Sequence, residues 1–191
     1  ETPLLVDPGT GAYGMDAALR DHFRSTPAHN TATLGGQDQA RMLGTFLWEA
    51  GWNTRVEVED DQIRAVCDAY HQALGASHLR RLSWRDPHIW VVEDKFPGAS
   101  PLEAEGWWHL GPRCVGVKID GDVAVCDFGH VRLEGRLPDG VETTVHRGGK
   151  EPLRGWLSPL YGVRVPGFAI RVAGQVDEHT TWRTEWSVRE D

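Results

Sequence analysis

Within residues 1–40 an acid, a phenol, a guanidinium, an imidazole and an amide stand beside tight-turn signals. Asp7 lies in Leu5-Val6-Asp7-Pro8-Gly9-Thr10, followed by Tyr13, by Arg24 in Phe23-Arg24-Ser25-Thr26, and by His29 and Asn30 in Ala28-His29-Asn30-Thr31; Gly35-Gly36-Gln37-Asp38-Gln39 closes the stretch. An aspartate and a histidine together suit a borderline divalent ion such as zinc, whose tetrahedral site then needs a further ligand from elsewhere. Plainer readings stay open: Asp7 before Pro8-Gly9 as the cap of an Asx-type turn, and His29 among small neighbours as a hydrogen-bonded core residue. Arg24 offers either a planar fork for a carboxylate or a charge that complements a helix dipole. Tyr13, flanked by Gly11 and Gly14, presents its hydroxyl to a cleft or stands as an exposed loop aromatic. Asn30 is placed to orient His29 or to stabilise a bound anion.

The elements that must aim these groups are mostly strands. From about residue 54 onward, short runs rich in Val, Ile, Trp and Thr alternate with turn signals. Segments 55–59 and 63–70 flank the turn 60–62, and 78–83 and 89–93 flank 85–87, which predicts two hairpins. Further strands are expected at 107–110, 115–119, 123–128, 131–137, 141–145, 168–172 and 180–188. Asp120-Gly121-Asp122 and Pro138-Asp139-Gly140 supply tight turns. One early helix is expected over 16–23, capped by Asp16 and carrying Ala17, Ala18 and Leu19. Pro97-Gly98-Ala99-Ser100-Pro101 reads as a loop between two sheet groups. The fold class that follows is all-β: an antiparallel multi-sheet sandwich with a short helical insertion near the N-terminus.

The 191 residues, 40% of them apolar, suffice for one buried core, and the expectation is a single domain over 1–191. No apolar run approaches the roughly 18 residues of a membrane span. A formal charge of −8 disfavours nucleic acid or bare membrane as a nonspecific partner. Three cysteines without a C-x-x-C spacing argue against a disulfide framework or a zinc ribbon and read as buried thiols. The opening Glu1-Thr2-Pro3-Leu4-Leu5-Val6 has neither an initiator methionine nor a signal-peptide core, so the chain is expected to be a piece of a longer one.

Taken in order, Leu-Val-Asp-Pro-Gly-Thr at 5–10, Tyr13, Phe-Arg-Ser-Thr at 23–26, Ala-His-Asn-Thr at 28–31, Gly-Gln-Asp-Gln at 36–39 and Gly-Trp-Leu-Ser-Pro with Tyr-Gly at 155–162 resemble the heparinase II/III-like polysaccharide lyases. The resemblance is to the β-sheet region that follows their α/α toroid. It implies β-elimination on uronic-acid polysaccharides and a bound zinc with Asp7 and His29 as ligands, a further histidine being expected upstream of Glu1. It also implies a periplasmic or secreted setting. Arg24, Asn30 and Tyr13 would line the substrate cleft. The same resemblance places the catalytic histidine upstream and the catalytic tyrosine, with a carboxylate-neutralising amide or histidine, in the toroid. No general base or acid is therefore assigned within this chain, which alone is expected to be inactive. Leu157 stands where an aromatic is common in relatives, and Leu110-Gly111-Pro112 replaces a second histidine, which weakens any inference about the sugar.

Three function classes follow. The first is the β-domain of a lyase acting on a glycosaminoglycan or alginate-like polyuronate, the acidic balance leaning away from highly sulfated heparin. The second is a noncatalytic carbohydrate-binding or scaffold sandwich with a structural metal. The third, a metal-dependent oxygenase, lacks the H-x-D or H-x-E ligand pair it would need.

Overall fold

The computed structural model describes residues 2–11, 13, 14 and 16–190. Its elements in chain order are α1 (Ala17–Arg24), a 3-10 turn (Thr26–Ala28), β1 (Ala32–Leu34), β2 (Met42–Gly44), β3 (Leu47–Trp48), β4 (Thr54–Val58), β5 (Gln62–Cys67) and α2 (His71–Leu74). There follow β6 (His78–Asp86), β7 (Ile89–Lys95), β8 (Leu102–His109), β9 (Gly116–Asp120), β10 (Val123–Asp127), β11 (Val131–Arg136) and β12 (Glu142–Arg147). The last are β13 (Gly149–Lys150), β14 (Leu153–Arg154), β15 (Trp156–Leu160), β16 (Val163–Pro166), β17 (Phe168–Val176) and β18 (Thr181–Glu190).

Two antiparallel sheets form the sandwich, one ordered β1-β8-β17-β12 and the other β4-β5-β6-β7-β18-β11-β10-β9. Alternation decides which side chains meet between them. Ile170, Val172 and Val176 of β17 and Ala104 and Trp108 of β8 face Val92, Leu133, Trp182 and Trp186 of the larger sheet. Trp108 meets Trp186 edge to face at 5.4 Å, and Phe96 meets Trp182 in the same way at 5.3 Å, the arrangement that ring quadrupoles favour. Gly135 admits the Trp186 ring, since a Cβ there would stand 2.4 Å from it. The loop after β7 carries the chain from the larger sheet to the smaller, as the Pro97–Pro101 signal predicts.

The expected helix forms one residue later, with the Asp16 carboxylate accepting from the Ala18 N–H at 2.9 Å. Two expectations shift. Segment 63–70 leaves the strand at Cys67, because Asp68 caps backward onto the Asn53 N–H and Gly75 (φ +68°) closes the short α2. The strand expected at 107–110 begins at Leu102, its first half hidden by small residues, Ala104 and Gly106, that pack without an apolar signature. All three cysteines are free thiols; Cys114 and Cys126 lie in the core, where burial pushes Cys114 up to about 11, whereas Cys67, expected to be buried too, is half-buried at the end of β5.

Candidate functional site

The site is assembled where three segments converge on the end of β8. Residues 4–6 run beside it: Val6 N–H donates to His109 O at 3.0 Å and Gly111 N–H to Leu4 O at 2.8 Å. The chain then turns at Asp7-Pro8-Gly9. Gly9 sits at φ +85°, and a Cβ there would lie 2.4 Å from Ser158 O, so this turn is wedged against β15. The Ser158 N–H donates to Pro8 O at 2.6 Å. Helix α1 brings the chain back, and the 3-10 turn that follows is clamped by the 36–39 motif: Asp38 accepts from the Thr26 N–H at 2.6 Å, and the Gln39 N–H donates to Thr26 Oγ1 at 2.8 Å. His29 emerges from this turn facing Asp7.

Asp7 Oδ2 and His29 Nδ1 are 2.6 Å apart, while Asp7 Oδ1 accepts from the Gly9 N–H at 2.9 Å. One oxygen thus caps the turn and the other meets the histidine. The hydrogen bond from His29 holds Asp7 below the usual carboxylate range, against partial burial. Both side chains are open to solvent, at 37% exposure for His29 and 63% for Asp7.

Asp7, His29, Arg24 and Tyr13 line one cleft of about 370 Å³ together with Thr10, Phe23, Thr45, Phe46 and Trp48. Arg24 is only 6% exposed. Its guanidinium stacks 4.2 Å from the Trp48 ring centre, Nη1 donates to Gly44 O at 2.9 Å, and the buried Nη2 has no partner among the described residues. Tyr13 packs on Phe46 at 4.9 Å, and its N–H donates to the Tyr161 hydroxyl at 3.2 Å.

A family model described as "Heparinase II/III-like, C-terminal" matches residues 1–185. The chain belongs to that family. Its fold is similar to heparan sulfate lyase HepC from Pedobacter heparinus at TM-score 0.72 and 16% identity, over 98% of this chain and 29% of that one. Two solved structures of heparinase III proteins are similar at TM-scores 0.71 and 0.68, with 16% and 18% identity, over 98% of this chain and 28% of each of theirs. This chain therefore spans less than a third of the length of those proteins. No curated protein matches the sequence.

In this heparinase-like domain Asn30 stands apart from the other candidates. It does not line the cleft; both ends of its amide are occupied by backbone, Nδ2 donating to Val6 O at 2.9 Å and Oδ1 accepting from the His109 N–H at 2.6 Å. Asn30 thereby staples the segment that carries Asp7 to β8, one residue from His29. Its own carbonyl accepts from Arg80 Nη1. Arg80 is gripped in turn by Asp94, with Nε and Nη2 at 2.7 and 2.9 Å from the two carboxylate oxygens, and His78 Nε2 lies 2.7 Å from the same carboxylate. Burial opposes the Asp94 charge, but Arg80 and His78 outweigh it and hold the carboxyl well below its ordinary range.

Two features of the site escape the sequence analysis. The wall formed by Thr45, Phe46 and Trp48 comes from a short hairpin whose apolar run shows no alternation; the aromatics beyond Gly44 were its one signal. The Asp94–Arg80–His78 cluster was missed because Asp94 lies one residue beyond the expected strand 89–93, and its pairing with His78 and Arg80 depends on the register of β6 against β7. An oxygen and an imidazole nitrogen are the donor types of a zinc site, and Asp7 and His29 fit as two of its ligands. Among the described residues no group of three His, Cys, Asp or Glu converges to complete one.

Proposed function

We propose that this chain is the β-domain of a polysaccharide lyase that cleaves a uronic-acid polysaccharide, a glycosaminoglycan or alginate-like polymer, by β-elimination. The observation that carries the reading is the convergence of Asp7, His29, Arg24 and Tyr13 on one cleft. Family membership supports it, as do the names of the structural neighbours, heparan sulfate lyase and heparinase III.

Elimination requires that the carboxylate beside C5 be neutralised, that a base remove the C5 proton and that an acid protonate the departing oxygen. Arg24, held by Gly44 O and the Trp48 ring, supplies positive charge for a uronate carboxylate. Tyr13, with Phe46 beside it, borders the sugar path. Asn30 keeps the Asp7 segment in register with His29. Asp7 and His29 would hold zinc together with a ligand from outside these residues, and the ion would supply a fixed positive charge beside the cleft. The base and acid lie upstream in the parent chain, a histidine in the preceding strand and a tyrosine in an N-terminal α/α toroid, in a periplasmic or secreted enzyme.

The test is the ultraviolet absorbance of the conjugated unsaturated uronate, followed with the complete parent protein over heparin, heparan sulfate, hyaluronan, chondroitin and alginate. A rise on one polymer that is lost in His29→Ala supports the reading. Binding with no rise on any polymer overturns it in favour of a noncatalytic carbohydrate-binding module. The exposed rings of Phe46 (76%) and Tyr161 (68%) also suit that second reading as sugar-stacking surfaces.

A further inference from the structure

We infer that the outer edge of β4 is a self-pairing surface, through which two copies of this chain join their eight-stranded sheets across a two-fold axis at Val56. Strand β4 ends the order of that sheet, and every one of its residues is exposed. Val56 and Val58 are 59% and 70% exposed, unusual for β-branched residues in an edge strand that carries no proline or bulge.

The hydrogen-bond parity of this edge follows from its inner partner. Asp68 N–H donates to Asn53 O at 3.1 Å and Glu59 N–H to Gln62 O at 2.9 Å, with β4 and β5 in register from Thr54↔Cys67 to Val58↔Ile63. Odd-numbered residues therefore bond to β5, and the N–H and C=O groups of Thr54, Val56 and Val58 point away from the sheet. An antiparallel copy centred on Val56 sets Val56 against Val56 and Thr54 against Val58, so all three outward residues find both backbone partners.

Charge selects this register over its neighbours. The non-hydrogen-bonded pairs, where side chains approach closest, become Arg55 opposite Glu57 of the second copy, twice over. Centring on Arg55 or on Glu57 instead would set like charges opposite each other. Within the chain Glu57 also meets Arg64 at 3.1 Å, but that pair is exposed on both sides, at 47% and 62%, and leaves the carboxylate accessible. On the other face the Val56 and Val58 side chains leave water.

Sedimentation velocity of the complete parent protein over a concentration series tests this, beside Arg55→Glu, Glu57→Arg and the double variant. The expected result is a dimer whose Kd rises about tenfold or more in each single variant, since like charges replace two opposite pairs, and returns in the double. Amide exchange at 54, 56 and 58, and not at 55 and 57, should slow as concentration rises. A parent that stays monomeric overturns the inference, as does a dimer indifferent to the swaps. Protection of 54, 56 and 58 at every concentration also overturns it, because another part of the parent chain then covers the edge.

Discussion

Asn30→Ala tests whether a single amide holds the two loops of the site together. The substitution removes the acceptor of the His109 N–H, a 2.6 Å bond at a residue 1% exposed, and the donor to Val6 O at 2.9 Å. An orphaned buried N–H costs about 1–3 kcal/mol and the second bond about 1 kcal/mol, so the expected loss is about 2–4 kcal/mol. The Arg80 contact to the Asn30 carbonyl survives, since it uses backbone. Urea unfolding should show a lower midpoint with unchanged slope, and exchange of the His109 amide should accelerate roughly tenfold for each 1.4 kcal/mol of local stability lost. The separation of Asp7 from His29 should become variable, read as a weakened zinc affinity in the complete parent protein. A variant within about 0.5 kcal/mol of the parent, with the His109 amide still protected, would refute the reasoning: the loops would then be held by their other backbone contacts alone.

Asp94→Ala leaves Arg80 and His78 facing a buried gap and should cost about 3–5 kcal/mol in the same unfolding assay. Because the folded carboxyl titrates below its unfolded value of about 3.9, its contribution is complete above roughly pH 4 and is lost as pH falls through the depressed value; Asp94→Asn should be less stable at neutral pH but flatter in stability between pH 4 and 2. Gly9→Ala combines a left-handed φ with a Cβ 2.4 Å from Ser158 O, so it should destabilise by about 1–3 kcal/mol and release the Asp7 turn, seen as a lower thermal midpoint. Arg24→Lys keeps the charge but loses the planar fork over Trp48, and in the complete parent KM should rise about tenfold with kcat little changed.

How much of this was legible depended on whether a residue's role was written in its own neighbourhood. The hairpins from residue 54 onward announced themselves by runs rich in Val, Ile, Trp and Thr on either side of a polar turn, even where, as in β4, every residue is exposed. Asp7 and His29 were suggested by type and by turn context, but the sequence left their plainer roles open; in the structure Asp7 serves as turn cap and histidine partner at once. Asn30 could not be resolved in advance, since its amide answers to Val6 and His109, 24 and 79 positions away. The Phe46–Trp48 wall was hidden for a different reason. A strand of two residues has too few positions to show a period, and its place is set by Arg24, whose reach to Gly44 O no local pattern encodes.

The two walls of the cleft differ in how they are fastened. Asp7 and His29 are tied through Asn30 and Arg80 into the interior of both sheets, whereas Phe46 and Trp48 sit on a hairpin whose strands pair only with each other. A substitution at 45, 46 or 48 can therefore reshape the ligand-facing contour without disturbing the histidine–aspartate pair. A change confined to a tip of a few residues can alter what the cleft accepts, while the half of the site that is tied to the core stays intact.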